Sequence, residues 1–286
     1  MVIGTGGYTT AAVLIAQRLI RGRIVIHEQN TVPGRTNLWL AHISDRVCLS
    51  FEGSTRYFAR GNTVLTGLPI RKDFAALPGK TEARRTLGLA EDAFTILVVG
   101  GSQGAKRINE LMLDAWPTID DGATQVVHQV GGRNIEEVRS RFLQRFGEAD
   151  AQVGGRYRIE AYVEMPVAMA AADLLIGRSG ASTVAEIAAA GLPSILIPYP
   201  FAVANEQKLN AEYLSERGAA VVREESECSP EELSRMVLDL RSSPEKLGAM
   251  ASASAALAKP DAARKVAEVA LCLARPRPTQ FTIHNS

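Results

Sequence analysis

The sequence lacks any apolar run long enough to span a bilayer, and its start lacks a basic region leading into an apolar signal core. Both absences point to a soluble intracellular chain, and neither excludes work at a membrane surface. Cysteine is scarce: Cys48, Cys228 and Cys272 are odd in number and widely scattered. That spacing supports no disulfide framework and no zinc site, so buried free thiols in a reducing cytosol are expected. Neither sign of charge is in excess, with 32 Lys and Arg against 31 Asp and Glu and a net charge of +1. A basic field for nucleic acid is therefore absent. With 46% hydrophobic and 22% charged residues, disorder is excluded as well. His42, His128 and His284 have no metal-ligand spacing, and no Asp-x-Asp pair stands near a strand end. No metal is expected, and any diphosphate must be met by amide dipoles and basic side chains.

What is present is alternation. Short β-branched runs such as RIVIHEQ (23–29), FTILVVGG (94–101), TQVVHQVG (124–131) and LPSILIPYP (192–200) are separated by helical periods such as AKRINELMLDAW (105–116) and ASTVAEIAAAG (181–191). Near-continuous apolar strands between helices predict parallel sheets covered on both faces, an α/β fold. The Pro- and Gly-containing stretch near 69–80 is the candidate linker. It predicts doubly wound units at 1–72 and 73–262, with 263–286 as a helix end and a loose tail. The first unit is small, since closing such a core takes roughly 100 residues. The opening MVIGTGG reads as the end of a strand running into a Gly-rich loop, as though earlier strands were missing.

In open α/β sheets, ligands sit beyond the carboxyl ends of strands, where helix N-termini aim amides outward. Three stretches have that form. In VVGGSQGAKRIN, strand 94–99 runs into Gly100, Gly101, Ser102, Gln103 and Gly104 before a helix. No Gly-Lys-Ser/Thr follows, so this is no Walker loop; it is either a tight turn or an anion site. In LLIGRSGASTVAEIAAAG, Ser179 and Gly180 lead into a helix carrying Glu186. Thr183 and Glu186 fit a capping box, and the same carboxylate could instead hold a ribose diol; spacing leaves both open. In IPYPFAVANEQKLNA, a Pro-rich turn delivers Asn205, Glu206, Gln207 and Asn210 to a helix start, either as sugar ligands or as ordinary helix-start polarity. His27, in HEQN (27–30), is a strand-end base or a structural imidazole. Arg71, in GLPIR, is a phosphate ligand or a surface arginine. The helix YTTAAVLIAQRLIRGR pairs an apolar face with Arg18, Arg21 and Arg23, which suits either core packing or rest on anionic lipid.

Taken in order, GTGGY, HEQN…PGRTN, GGSQGA, HQVG, RSGASTVAEIAAAGLPSILIPYP and NEQKLNA resemble the MurG family, the peptidoglycan N-acetylglucosaminyltransferases of bacteria. The resemblance runs from residue 1 to about 270. It implies a GT-B fold, two Rossmann-like domains facing a cleft, the first truncated. It implies inverting transfer of N-acetylglucosamine from UDP-N-acetylglucosamine to the 4-hydroxyl of the muramoyl sugar of lipid I. Lipid II and UDP would form at the cytoplasmic face of the plasma membrane, with the enzyme peripheral to it. Donor-side residues implied are Arg71, Gly101, Ser102, Gln103, Gly104, Val163 (backbone to uracil), Ser179, Gly180, Glu186 (ribose), Gln207 (donor sugar) and Asn210. Acceptor-side residues implied are Tyr8, Glu28 and Asn30. No cofactor is implied.

Leu68 stands where the family generally shows asparagine, and Glu206 where an amide or histidine is usual. The family begins with a Gly-Gly-Thr-Gly-Gly-His loop whose histidine is its usual candidate base, and that loop is absent here. His27 and Glu28 are the substitute candidates for the base. The expectation is a start placed too late, to be checked by reading the DNA upstream in frame. The alternatives are a UDP-sugar-binding module without full catalysis and another GT-B enzyme of UDP-sugars.

Overall fold

Two parallel sheets organise the chain, and the computed structural model describes residues 1–59, 61–101, 105–147 and 155–274 of it. The chain divides into one unit of residues 1–69 and 261–286 and another of residues 70–260. In the first unit the order is β1 (Val2–Gly4), α1 (Tyr8–Leu19), β2 (Ile24–Glu28), α2 (Arg35–Ala41), β3 (Arg46–Leu49) and β4 (Thr63–Leu65). Its strands pair side by side in chain order, all parallel.

The second unit carries α3 (Lys80–Thr86), β5 (Phe94–Val99), α4 (Lys106–Ile119), β6 (Thr124–Gln129), α5 (Ile135–Phe146), β7 (Tyr157–Glu160), α6 (Met165–Ala171) and β8 (Leu174–Gly177). It continues with α7 (Ala181–Ala190), β9 (Ser194–Leu196), α8 (Glu206–Ser215), β10 (Ala220–Val222), α9 (Pro230–Arg241) and α10 (Pro244–Ala256). The last helix, α11 (Ala262–Ala274), belongs to the first unit, where Val266 and Ala270 cover Val25 and Cys48. The expected tail RPRPTQFTIHNS lies outside the described residues.

The strands are buried almost throughout, as continuous apolar runs in doubly covered parallel sheets must be. On α4, Ile108, Leu111, Met112, Ala115, Trp116 and Ile119 are all buried, a helical period facing the core. Trp116 meets Tyr157 edge to face at 5.1 Å between centroids.

His128, on β6, is fully buried beside them. Its Nδ1 lies 2.7 Å from the Tyr157 hydroxyl and its Nε2 3.0 Å from Asn109 Oδ1. The Asn109 amide nitrogen faces Val130 O, so Oδ1 accepts from His128 Nε2–H and the neutral ring accepts from tyrosine. Burial pushes this imidazole down from 6.5 to about 3. Between those values the unfolded chain binds a proton that the native ring refuses, so stability falls as pH drops. Going from pH 7 to 5, the wild type is expected to lose about 2 kcal/mol more than His128→Gln in denaturant titrations. Equal losses would contradict the assignment.

At the N-terminal ends of the strands, Asp173 gathers three donors. Its carboxylate accepts from Arg84 at 2.6 Å, Lys80 at 2.7 Å and the Thr95 amide at 2.7 Å. Arg84 is buried and also donates to Ala171 O at 3.0 Å. One carboxylate thus locks α3 to the roots of β5 and β8.

Candidate functional site

The second sheet runs in the order β10-β9-β8-β5-β6-β7. The chain moves outward from β5 in one direction, then returns to β8 and moves outward in the other. The switch point therefore lies between β5 and β8, where the loops leaving the two strands diverge and open a crevice. Val99 and Gly177 are in register there, and a Cβ on Gly177 would stand 2.8 Å from Val99 O. Only glycine lets the two strands remain paired up to the crevice floor. Beyond β5, Gly101 turns the chain with φ +77°, in the left-handed region.

The two helices that start at this crevice share an electrostatic character. Neither α4 nor α7 has a side-chain cap, and neither has an acidic residue in its first turn. In contrast, α9 starts with Ser229 Oγ accepting from Glu232 N, with Glu231 and Glu232 following. An uncapped first turn leaves amide donors and the positive end of the dipole facing outward, which suits an anion.

Glu186 does not cap its helix. Gly180 is the N-cap, so Thr183 falls in the first turn and Glu186 in the second, and the capping-box alternative is set aside. Its side chain is only 17% exposed, with Arg71 3.9 Å away. Burial raises its carboxyl above the ordinary range, and Arg71 partly offsets this. Arg71 precedes a short 3-10 helix (Lys72–Ala75), and its guanidinium also lies 3.7 Å from Glu164, on the turn carrying Val163. The structure thus gathers Arg71, Glu186 and the Val163 turn, which the sequence separates widely.

The third stretch joins the same rim from within. Ser179 and Asn210 are both fully buried. Ser179 Oγ donates to Gln207 O at 2.7 Å, and Asn210 Nδ2 donates to Ser179 O at 3.3 Å. Gln207 Oε1 accepts from Tyr199 N at 3.0 Å, fixing the side chain of the expected sugar-contacting residue. The side chains of Ser179 and Asn210 therefore face protein and brace the loop after β8 against α8. Arg178, which sequence reading did not single out, has the same role. It donates to Ile197 O and Pro198 O, each at 3.0 Å, and pairs with Glu225. No local pattern in RSG signals those distant partners. Ser102, Gln103 and Gly104 lie outside the described residues.

The first unit holds the other set. Tyr8 is 92% exposed at the start of α1. Glu28 is buried, and its carboxylate accepts from Asn30 N at 2.9 Å, Asn37 Nδ2 at 2.8 Å and Gly34 N at 3.2 Å. Burial raises its carboxyl, and those hydrogen bonds oppose the rise. His27 is buried too, with Nε2 2.9 Å from Gly67 O, and burial lowers its imidazole below the usual value. Asn30 O accepts from Ser54 Oγ at 3.0 Å. This geometry organises the loop after β2. Among the described residues, no cluster of three or more His, Cys, Asp or Glu could hold a metal ion.

The comparisons with known proteins identify the family. The profile of the glycosyltransferase family 28 C-terminal domain matches residues 95–266, and that of its N-terminal domain matches residues 1–49. The chain is 39% identical over 271 residues to the UDP-N-acetylglucosamine--N-acetylmuramyl-(pentapeptide) pyrophosphoryl-undecaprenol N-acetylglucosamine transferase of Geobacter sulfurreducens, covering 94% of this chain and 71% of that protein. It is 40% identical over 273 residues to the protein of the same name from Moorella thermoacetica, covering 95% and 73%. The crystal structure of Acinetobacter baumannii MurG superposes with a TM-score of 0.73 at 30% identity, covering 93% of this chain and 72% of that one. The fold is accordingly GT-B, built from two Rossmann-like units. The chain belongs to glycosyltransferase family 28, and within it to the MurG family.

Proposed function

We propose that this protein is an inverting hexosyltransferase that moves N-acetylglucosamine from UDP-N-acetylglucosamine to the 4-hydroxyl of the muramoyl sugar of lipid I. The products are lipid II, a precursor of the cell wall, and UDP. The observation that carries the reading is the pair of uncapped, acid-free helix starts at the switch point, in a chain whose relatives carry this reaction in their names. The starts of α7 and α4 face the diphosphate, and their dipoles stabilise the charge that develops as the anomeric bond breaks. Glu186 accepts from the ribose hydroxyls, the Val163 turn meets the uracil, and Gln207 meets the sugar. Arg71 supplies a cation beside them. Ser179 and Asn210 shape the site through its backbone. Tyr8 and Asn30 serve the acceptor side, while Glu28 positions the loop after β2 and His27 ties the end of β2 to Gly67 beyond β4.

A transfer assay with labelled donor and a lipid I analogue tests this reading. Labelled lipid II is the expected product. Calorimetric binding of the donor without transfer would instead mark a UDP-sugar-binding module. The diphosphate is balanced here without a divalent cation, so EDTA is expected to leave the rate unchanged. A rate that collapses with EDTA and returns with magnesium would contradict that point.

The acceptor is a lipid, and α1 suits a peripheral position at the cytoplasmic membrane face. Among the described residues no helix is long and apolar enough to cross a membrane. Leu19 and Ile20 nevertheless stand 80% and 75% exposed beside the exposed Arg18 and Arg21. Apolar side chains flanked by cations rest well on anionic lipid. Sedimentation with vesicles containing phosphatidylglycerol is expected to carry the protein down, and Leu19→Asp with Ile20→Asp to abolish it. Equal binding by the variant would remove α1 from the contact.

A further inference from the structure

Gln129 ends β6, in the HQVG motif that the proposed chemistry leaves without a role. It is only 4% exposed. Its backbone carbonyl accepts from Gly100 N at 3.3 Å, and its side-chain Nε2 donates both to Gly101 O at 3.4 Å and to Ala161 O at 3.3 Å. One amide group therefore ties the Gly turn after β5 to the turn after β7, two residues before Val163. The opposite end of the same amide, Oε1, is buried and has no hydrogen-bond partner among the described residues. Rotating the amide would set Oε1 against two carbonyls, so the chemistry fixes this orientation.

For stability this is a poor arrangement. Two long hydrogen bonds contribute little, and a buried acceptor that no donor among the described residues meets is a cost to the fold. A methionine of similar size would fill the space without that cost. A group that is costly to the fold, yet joins two walls of a binding crevice, is explained by what it does for the ligand.

We propose that Gln129 is a positioning residue for the nucleotide sugar. It holds the Gly100–Gly101 turn and the Ala161–Val163 turn at the separation the nucleotide requires. The identity of the ligand rests on the function proposed above; the coupling of the two turns does not. Pre-setting two loops lowers the ordering cost of binding, so the effect falls on donor affinity.

The test is Gln129→Met in the full chain, measured by UDP calorimetry, steady-state kinetics and thermal melting. The expected result is a UDP Kd and a donor KM each raised about tenfold. The midpoint should equal or exceed that of the wild type, and kcat should change far less than KM. An unchanged UDP Kd would overturn the inference. So would a variant that melts far lower or fails to fold, because the amide would then be serving the core. If the wild type itself binds no UDP, the proposed function fails first, and the two failures are thereby distinguished.

Discussion

Glu186→Ala is expected to lower kcat/KM for UDP-N-acetylglucosamine about a hundredfold while leaving the protein folded. A carboxylate accepting from two hydroxyls makes charge-assisted hydrogen bonds worth roughly 1.5–3 kcal/mol, which corresponds to about 10- to 100-fold. The upper end applies because burial around Glu186 keeps water from replacing the lost contact. The stability effect has the opposite sign. Burial raises the folded-state carboxyl of Glu186 above its unfolded value, so the native protein holds this proton more tightly. Near neutral pH the ionised group is therefore a cost to the fold, relieved as pH falls. Glu186→Gln should then melt at or above the wild-type temperature even though it binds donor poorly. The ionised form is the one that accepts hydrogen bonds, so donor affinity should fall on acidification at a pH above the range of an ordinary glutamate. A Glu186→Gln variant with wild-type donor KM would remove this residue from the site.

The second large effect concerns the base of the sheet. Asp173→Ala is expected to destabilise the protein by about 3 kcal/mol, because it leaves the Arg84 guanidinium buried without its anion. For a unit of this size that corresponds to a fall in melting temperature of roughly 6–12 °C. Replacing both partners, Arg84→Met with Asp173→Leu, should recover most of the loss, since the cost lies in the unpaired charge. If the single variant melts like the wild type, the network is a surface decoration. Residual activity below the melting range should have near-normal donor KM, because Asp173 lies at the opposite end of β8 from the crevice.

Much of this fold is legible in the sequence because parallel strands buried on both faces must be apolar along their whole length. FTILVV, TQVVHQ and LLIG declare themselves in that way. Strand order is not written locally, however. That β8 returns beside β5 rather than beside β7 is a long-range fact, and it alone creates the crevice. The helices α9 and α10 carry a local start signal, each beginning with a serine followed by proline and acid. Thr183 and Glu186 show the reverse problem. Their spacing matches a capping box, but the helix begins at Gly180, which shifts Glu186 into the second turn. Ser179 and Asn210 look like ligands by residue type, whereas their hydroxyl and amide are turned toward Gln207 O and Ser179 O. His27 and Glu28 read as candidate bases; in the fold Glu28 accepts from its own loop, while His27 lies 2.9 Å from Gly67 O beyond β4. Polar residues at strand ends serve ligands or the loops that hold ligands, and sequence spacing does not separate the two.

The central claim is that helix starts at the switch point of the second unit hold the donor nucleotide. The most direct measurement is the position of UDP in crystals soaked with it. The account predicts its diphosphate about 3 Å from backbone amides at the start of α7 and beside Gly101. It predicts the ribose hydroxyls on Glu186 and the uracil against the Val163 turn. A nucleotide bound anywhere else, or one whose ribose leaves Glu186 untouched, would contradict it.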